Sequence, residues 1–166
     1  MKIVGDYIAA EAFSRQDPAE FDLFCRSAFN RYYYAAFLAI RNVLKTLDSS
    51  WATPAHQAIP GILRSAVLRR LRTEIQKATS TALITHSEGT RLISAASSAA
   101  SELANLLVAA RETRRLADYE PETKVIKKGP QTQLGNFTLE AASKWENRVT
   151  IQSKTILRVY GELGLI

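Results

Sequence analysis

The sequence has one cysteine and two histidines in 166 residues. A lone Cys25 cannot close an intrachain disulfide, and so few soft ligands leave zinc and redox chemistry without a ligand set. Cys25 falls among Phe21, Phe24 and Phe29, where it reads as a small core residue and not as a nucleophile. No stretch approaches the roughly 18 uninterrupted apolar residues of a membrane span, and the N-terminus lacks the basic-then-apolar order of a signal peptide. A cytoplasmic protein with no membrane partner is therefore expected. Glycine-rich Walker and dinucleotide patterns are missing too, so no cofactor and no metal is expected. No segment reads as a convincing strand, and no internal repeat occurs.

What is present is 46% hydrophobic and 23% charged residues, with a formal net charge of +6. That content fits one domain over residues 1–166. The positive charge attracts phosphate backbones or an acidic partner without specifying either.

The dominant element is a helix expected from Pro18 to Leu47, with Asp17-Pro18 as its start and Asp48-Ser49-Ser50 as its end. Apolar residues recur at Phe21, Phe24, Ala28, Tyr32, Ala35, Ala39 and Val43, and again at Phe29, Tyr33, Phe37, Ile40, Leu44 and Leu47. Two stripes imply a helix packed on two sides, in the middle of a bundle. Arg31 lies one turn from both Ala28 and Ala35, so its guanidinium is expected along a face of small groups. It then either reaches solvent or a carbonyl at a helix end, or helps to form a polar site between helices.

Residues 1–16 read as an arm or a short helix. After Thr53-Pro54, a turn through His56 is expected. Pro60 and Gly61 break any helix begun earlier, so the next one runs from about Ile62 to Lys77. Its arginines, Arg64, Arg69, Arg70 and Arg72, read as a solvated face or as an RNA contact. A third long helix, capped by Ser87, should reach Leu116, and its small-residue run from Ala95 to Ser101 suits a close helix crossing or a subunit contact. At its end Arg114 continues an apolar stripe, with Asp118 one turn on. Residues 120–137 read as a basic loop, and a last helix runs from about Thr138 to Tyr160 with Gly161 as its stop. The fold class is all-α, an up-and-down bundle of four main helices.

Two stretches carry a resemblance. Asn30-Arg31-Tyr32-Tyr33-Tyr34-Ala35-Ala36-Phe37 resembles the Ser-Arg-Ala-Tyr-Tyr-Ala-Ala-Phe signature of the HEPN (higher eukaryotes and prokaryotes nucleotide-binding) superfamily. Arg114-Arg115-Leu116-Ala117-Asp118-Tyr119-Glu120-Pro121 resembles the Arg-x-x-Ala-Asp-Tyr-x-Pro ending of the third helix in its small prokaryotic members. The resemblance implies a helical bundle that dimerises, encoded as the toxin of a toxin–antitoxin pair beside a nucleotidyltransferase or found in antiviral defence. Active members look like metal-independent endoribonucleases in which an arginine is followed four to six residues later by histidine.

The sequence departs from that pattern, because neither His56 nor His86 follows an arginine at that spacing. Where the family's catalytic histidine would stand, the chain has Asp118 and Tyr119, and tyrosine is a poor base near neutral pH. The residues that the resemblance singles out for catalysis are His56, Arg114, Asp118 and Tyr119, with Asn30, Arg31, Arg111 and Arg115 as contacts to RNA phosphate. His56 would move a proton and Arg114 would stabilise phosphate charge. Two functions are implied: an RNA-directed toxin or defence component, as a metal-independent endoribonuclease, or a non-catalytic module that dimerises and binds a nucleotidyltransferase-type partner or a nucleotide.

Overall fold

The computed structural model describes all of residues 1–166. The chain is mostly helical, with a small antiparallel sheet of order β1-β2-β3. Its helices are α1 (Lys2–Ser14), α2 (Pro18–Leu47), α3 (residues 59–80), α4 (His86–Tyr119), α5 (Leu139–Ala142) and α6 (Trp145–Glu162). The strands are β1 (Val125–Lys128), β2 (Gln131–Leu134) and β3 (Phe137–Thr138). Two compact units result: unit 1 comprises Met1–Leu38 and Leu107–Arg148, and unit 2 comprises Ala39–Leu106 and Val149–Ile166. The divisions fall inside α2 and α4 and near the start of α6.

In unit 1 the first segment is a helix, which decides between the two readings of residues 1–16. Asp17 accepts the Ala19 N–H at 3.1 Å and starts α2 as expected. Phe21, Cys25, Phe29, Tyr33 and Phe37 are buried along α2, with Ala28, Tyr32 and Ala35 on a second stripe. Gly5 of α1 lies so close to Tyr32 that a Cβ would stand 2.7 Å from the ring. The Tyr32 hydroxyl donates to Asp6 at 3.0 Å on the same helix. Arg31, expected along the small-residue face, is exposed. Its Cβ is beside Gly5, which leaves the side chain on the flank of the contact and open to water.

The expected loop at residues 120–137 is instead largely a sheet. Val125 pairs with Leu134 and Lys128 with Gln131, and Leu134 then pairs with Phe137. Both connections are two-residue turns with glycine first, Gly129-Pro130 and Gly135-Asn136, and each glycine has φ of +58°. This is the turn chemistry that suits the twist of a hairpin. Thr132 and Leu134 supply the buried positions of β2, and Val125 that of β1.

In unit 2, Pro60 occupies the first turn of α3, where its missing N–H costs nothing, so the helix begins at Ile59 and not at Ile62. Residues Ile62–Val67 are π-helical before the α-helix Leu68–Ser80. The Tyr160 hydroxyl of α6 donates to the Val67 carbonyl at 3.4 Å, supplying a partner beside that irregular stretch. The start of α4 is capped by Thr85 and not by Ser87: Glu88 N–H donates to the Thr85 hydroxyl, and the Glu88 carboxylate accepts from Thr85 N–H at 2.7 Å. The expected last helix is broken at Ser143 and Lys144, where the Ser143 hydroxyl donates back to the Glu140 carbonyl. Its stop is Gly164, with φ of +67°, and not Gly161.

By length and composition α4 is long and apolar enough to cross a membrane, and 44% of its most apolar window is buried within the protein, as in the core helix of a bundle. Leu92, Ala96, Ala99, Leu103, Leu106 and Ala110 recur at helical spacing and are all buried along that helix, with Ala100, Ala104, Leu107 and Thr113 buried beside them.

Candidate anion-binding site

Unit 1 brings together the two stretches that carry the resemblance. Arg114 projects from the last turns of α4, and its Nε donates to Asp118 Oδ2 at 2.9 Å, one helical turn on. Asn30 of α2 donates its amide Nδ2 to Asp118 Oδ1 at 2.6 Å. Each oxygen of one carboxylate thus accepts one bond, and the carboxylate joins the end of α4 to the middle of α2. The Arg114 side chain is 28% exposed and that of Asp118 23%, so water screens the pair only in part.

Three aromatic rings surround the guanidinium. Its carbon stands 5.8 Å from the centroids of Tyr33, Tyr34 and Tyr119 alike. Tyr33 and Tyr34 meet edge to face at 5.1 Å, and Tyr33 stacks on Phe37 at 6.1 Å, which fixes the buried side of this cage. Burial raises the Tyr33 phenol above its ordinary range, with Arg114 opposing that shift, so Tyr33 serves as a neutral ring and not as a base. The side chain of Tyr119 is largely exposed and closes the outer side.

The arrangement leaves Arg114 a specific capacity. Asp118 takes its Nε, while the two Nη groups donate to no protein acceptor within the cage. A planar fork held by rings and by a carboxylate, with its outer donors open, suits an oxygen pair of a phosphate or a carboxylate. Arg111 is exposed one turn earlier on α4. Arg115 is less able to contribute: Glu112 binds its Nη2 at 2.8 Å, and Glu120 binds its Nη1.

Of the residues singled out from the sequence, Asn30, Arg114, Asp118 and Tyr119 assemble here, whereas Arg31 points to solvent and Arg115 is committed to carboxylates. His56 belongs to unit 2, half-buried in the turn before α3. Unit 1 contains no histidine, so no imidazole of that unit stands beside Arg114. Cys25 is buried, and burial together with nearby Asp22 pushes its thiol up to about 12, in keeping with a core residue.

Sequence reasoning passed over Arg26, the buried arginine of this unit, at 8% exposure. Its signal was legible in Asp22 and Arg26, an i,i+4 pair on the stripe of Cys25 and Phe29, where a charge must find partners. Arg26 holds the backbone at the end of α4 and so positions the turn that carries Arg114, Asp118 and Tyr119. No family model matches the chain, and neither the curated proteins nor the solved structures include a match.

Proposed function

We propose that the chain is an HEPN-like bundle protein of the prokaryotic toxin–antitoxin or defence kind, acting as a homodimer on RNA, and that Arg114 grips an RNA phosphate. The observation that carries this reading is the caged guanidinium with open Nη groups, built from the two stretches that resemble the superfamily. Exposed Tyr119 and half-buried Tyr34 offer faces on which an unpaired base can stack beside that phosphate. The positive net charge favours the encounter. Because the unit has no imidazole, binding is the primary activity, and metal-independent cleavage would draw its proton transfer from outside that unit.

The test is fluorescence anisotropy with labelled single-stranded RNA in EDTA, with the same samples run on a gel for cleavage. Arg114→Gln is expected to weaken binding about tenfold, the loss of charge-assisted bonds, and to lower the salt slope by about one. Intact RNA at the end identifies a binder; cleavage abolished by both Arg114→Gln and His56→Ala identifies a nuclease. An unchanged affinity in a folded Arg114→Gln protein overturns the phosphate assignment.

A second reading rests on Asp118, whose two oxygens both serve protein donors. On that reading the Arg114–Asp118–Asn30 chain is a polar network fixing helix register in a non-catalytic module, which binds a nucleotidyltransferase-type partner. Asp118→Asn would then lower stability while leaving RNA affinity unaltered.

A further inference from the structure

Unit 2 holds a groove of about 530 Å³ between α3 and α4, lined at helical spacing from both. At its floor the two helices approach closely: a Cβ on Gly89 would stand 2.9 Å from Ile75 Cγ2, so glycine's bare backbone suits that position. Ile75 and Ile93 provide apolar surface along this floor. The hydroxyls of the walls spend their hydrogens on their own helices, Thr79 on the Ile75 carbonyl at 2.8 Å and Thr90 on the His86 carbonyl at 2.9 Å. They can accept bonds from a ligand but have no hydrogen left to give.

The donors that remain are the Arg72 guanidinium, the His86 ring and the neutral Gln76 amide, and of these only Arg72 brings a fixed positive charge. Arg72 and His86 both line the groove, and neither side chain is engaged in an ion pair or a hydrogen bond within the protein. No aspartate or glutamate lines it. The carboxylates of the adjoining turns are held elsewhere, Glu74 by Lys77 at 2.8 Å and Glu88 by the Thr85 N–H at 2.7 Å. An apolar floor flanked by an unpaired guanidinium and an imidazole, with every nearby carboxylate occupied, is complementary to an acid group attached to an apolar body.

We propose that this groove is a binding site for a small amphiphilic carboxylate, its chain lying over Ile75 and Ile93 and its acid group taken by Arg72. The site is independent of the arginine cage of unit 1. The carboxylate accepts two N–H bonds from the guanidinium fork, and the chain displaces water from the isoleucine surface.

The experiment is a titration of the full chain, with isoleucine methyl groups labelled for NMR, using hexanoate, 1-hexanol and inorganic phosphate as separate probes. Hexanoate should shift the Ile75 and Ile93 methyl signals saturably, and both 1-hexanol on the wild type and hexanoate on Arg72→Gln should bind about tenfold more weakly. Arg72 is exposed, so its replacement leaves the fold intact, and Arg114→Gln should leave hexanoate binding unchanged. Equal binding of hexanol and hexanoate, phosphate binding as tightly as hexanoate, or an absence of shifts at Ile75 and Ile93 would each overturn the proposal.

Discussion

Arg26 of α2 donates to the carbonyl oxygens of Leu116 at 2.9 Å and Ala117 at 3.1 Å, closing the end of α4 with a side chain. Its other Nη group reaches the Glu120 carbonyl at 3.1 Å and that of Thr123, while its Nε binds Asp22 at 2.9 Å. The second Asp22 oxygen accepts the Val125 N–H at 2.7 Å, so one buried ion pair fixes both the exit from α4 and the entry to β1. Helix ends leave carbonyls without intrahelical partners, and here a guanidinium satisfies them.

Replacing Arg26 with methionine would fill much of the same space but strand these carbonyls and leave the Asp22 carboxylate with only the Val125 N–H and the exposed Lys124 ammonium at 3.7 Å. A loss of about 3–5 kcal/mol is expected, the cost of breaking a buried pair from one side. Urea unfolding measures it. Arg26→Met/Asp22→Leu should recover part of the loss, because no unpaired charge then remains. A single variant as stable as the wild type would remove Arg26 from the account of this turn.

At Gly5 the same fold depends on the absence of a side chain. A methyl group there would meet the Tyr32 ring at 2.7 Å and 2.9 Å, and Tyr32 is buried at 3% exposure with its hydroxyl tied to Asp6. Alanine is intrinsically better in a helix by about 1 kcal/mol, but forcing a buried ring aside costs about 1–3 kcal/mol. Gly5→Ala is therefore expected to lower the thermal midpoint. Gly61→Ala, where nothing lies within 4 Å, should leave it unchanged or raise it.

These two positions also show which parts of the architecture were legible in the sequence. The limits of α2 follow from Asp17-Pro18 and from its apolar stripes, and the structure has them at Pro18 and Leu47. The convergence of Asn30, Arg114 and Asp118 was implied only by two motifs far apart in the chain, since periodicity says which face is apolar and not which face it meets. The sheet was missed because Val125–Lys128 and Gln131–Leu134 are polar strands with few buried positions, so their evidence lies in Gly129-Pro130 and Gly135-Asn136. Arg31 takes the solvent course, one of those left open by the sequence, for a related reason. A face of small residues can mark close backbone approach, as at Gly5, with a neighbouring long side chain running out past the contact.

The end of α3 is closed by a motif that normally uses glycine. Ala82 N–H donates to the Thr79 carbonyl at 3.1 Å and Leu83 N–H to the Ala78 carbonyl at 2.9 Å, the double bond pattern of a Schellman cap. Ala82 sits at its left-handed position with φ of +58°. An L residue there costs about 1–2 kcal/mol, of which glycine's greater freedom in the unfolded chain returns about 0.4–1. Ala82→Gly should accordingly stabilise the protein by up to about 1 kcal/mol, read as a raised urea midpoint with an unchanged slope. A lower midpoint would contradict the strain assigned to this turn.

Alkaline pH should destabilise the protein through its buried thiol and phenols: burial raises Tyr32 and Tyr33 as well as Cys25 and Tyr160, and the last two show the course. Burial pushes the Cys25 thiol from 9.0 to about 12, with Asp22 adding to the shift. Burial also raises the Tyr160 phenol from 10.0 to about 12, partly opposed by Arg70, whose guanidinium stands 5.7 Å from the ring. In each case the folded protein retains its proton in a range where the unfolded chain releases it. Stability then falls with rising pH, because the unfolded state binds fewer protons than the native one. The contribution is whole below the unfolded values and declines from about pH 9 for Cys25 and about pH 10 for Tyr160, until each folded group ionises near pH 12. Urea midpoints measured from pH 8 to pH 11 should show this descent. Cys25→Ala leaves a small cavity and lowers the whole curve, so the slopes are compared: the variant, left with only the phenols, should fall less steeply between pH 9 and pH 10 than the wild type. Parallel curves for the two proteins would mean that the thiol ionises as readily in the native core as in the unfolded chain.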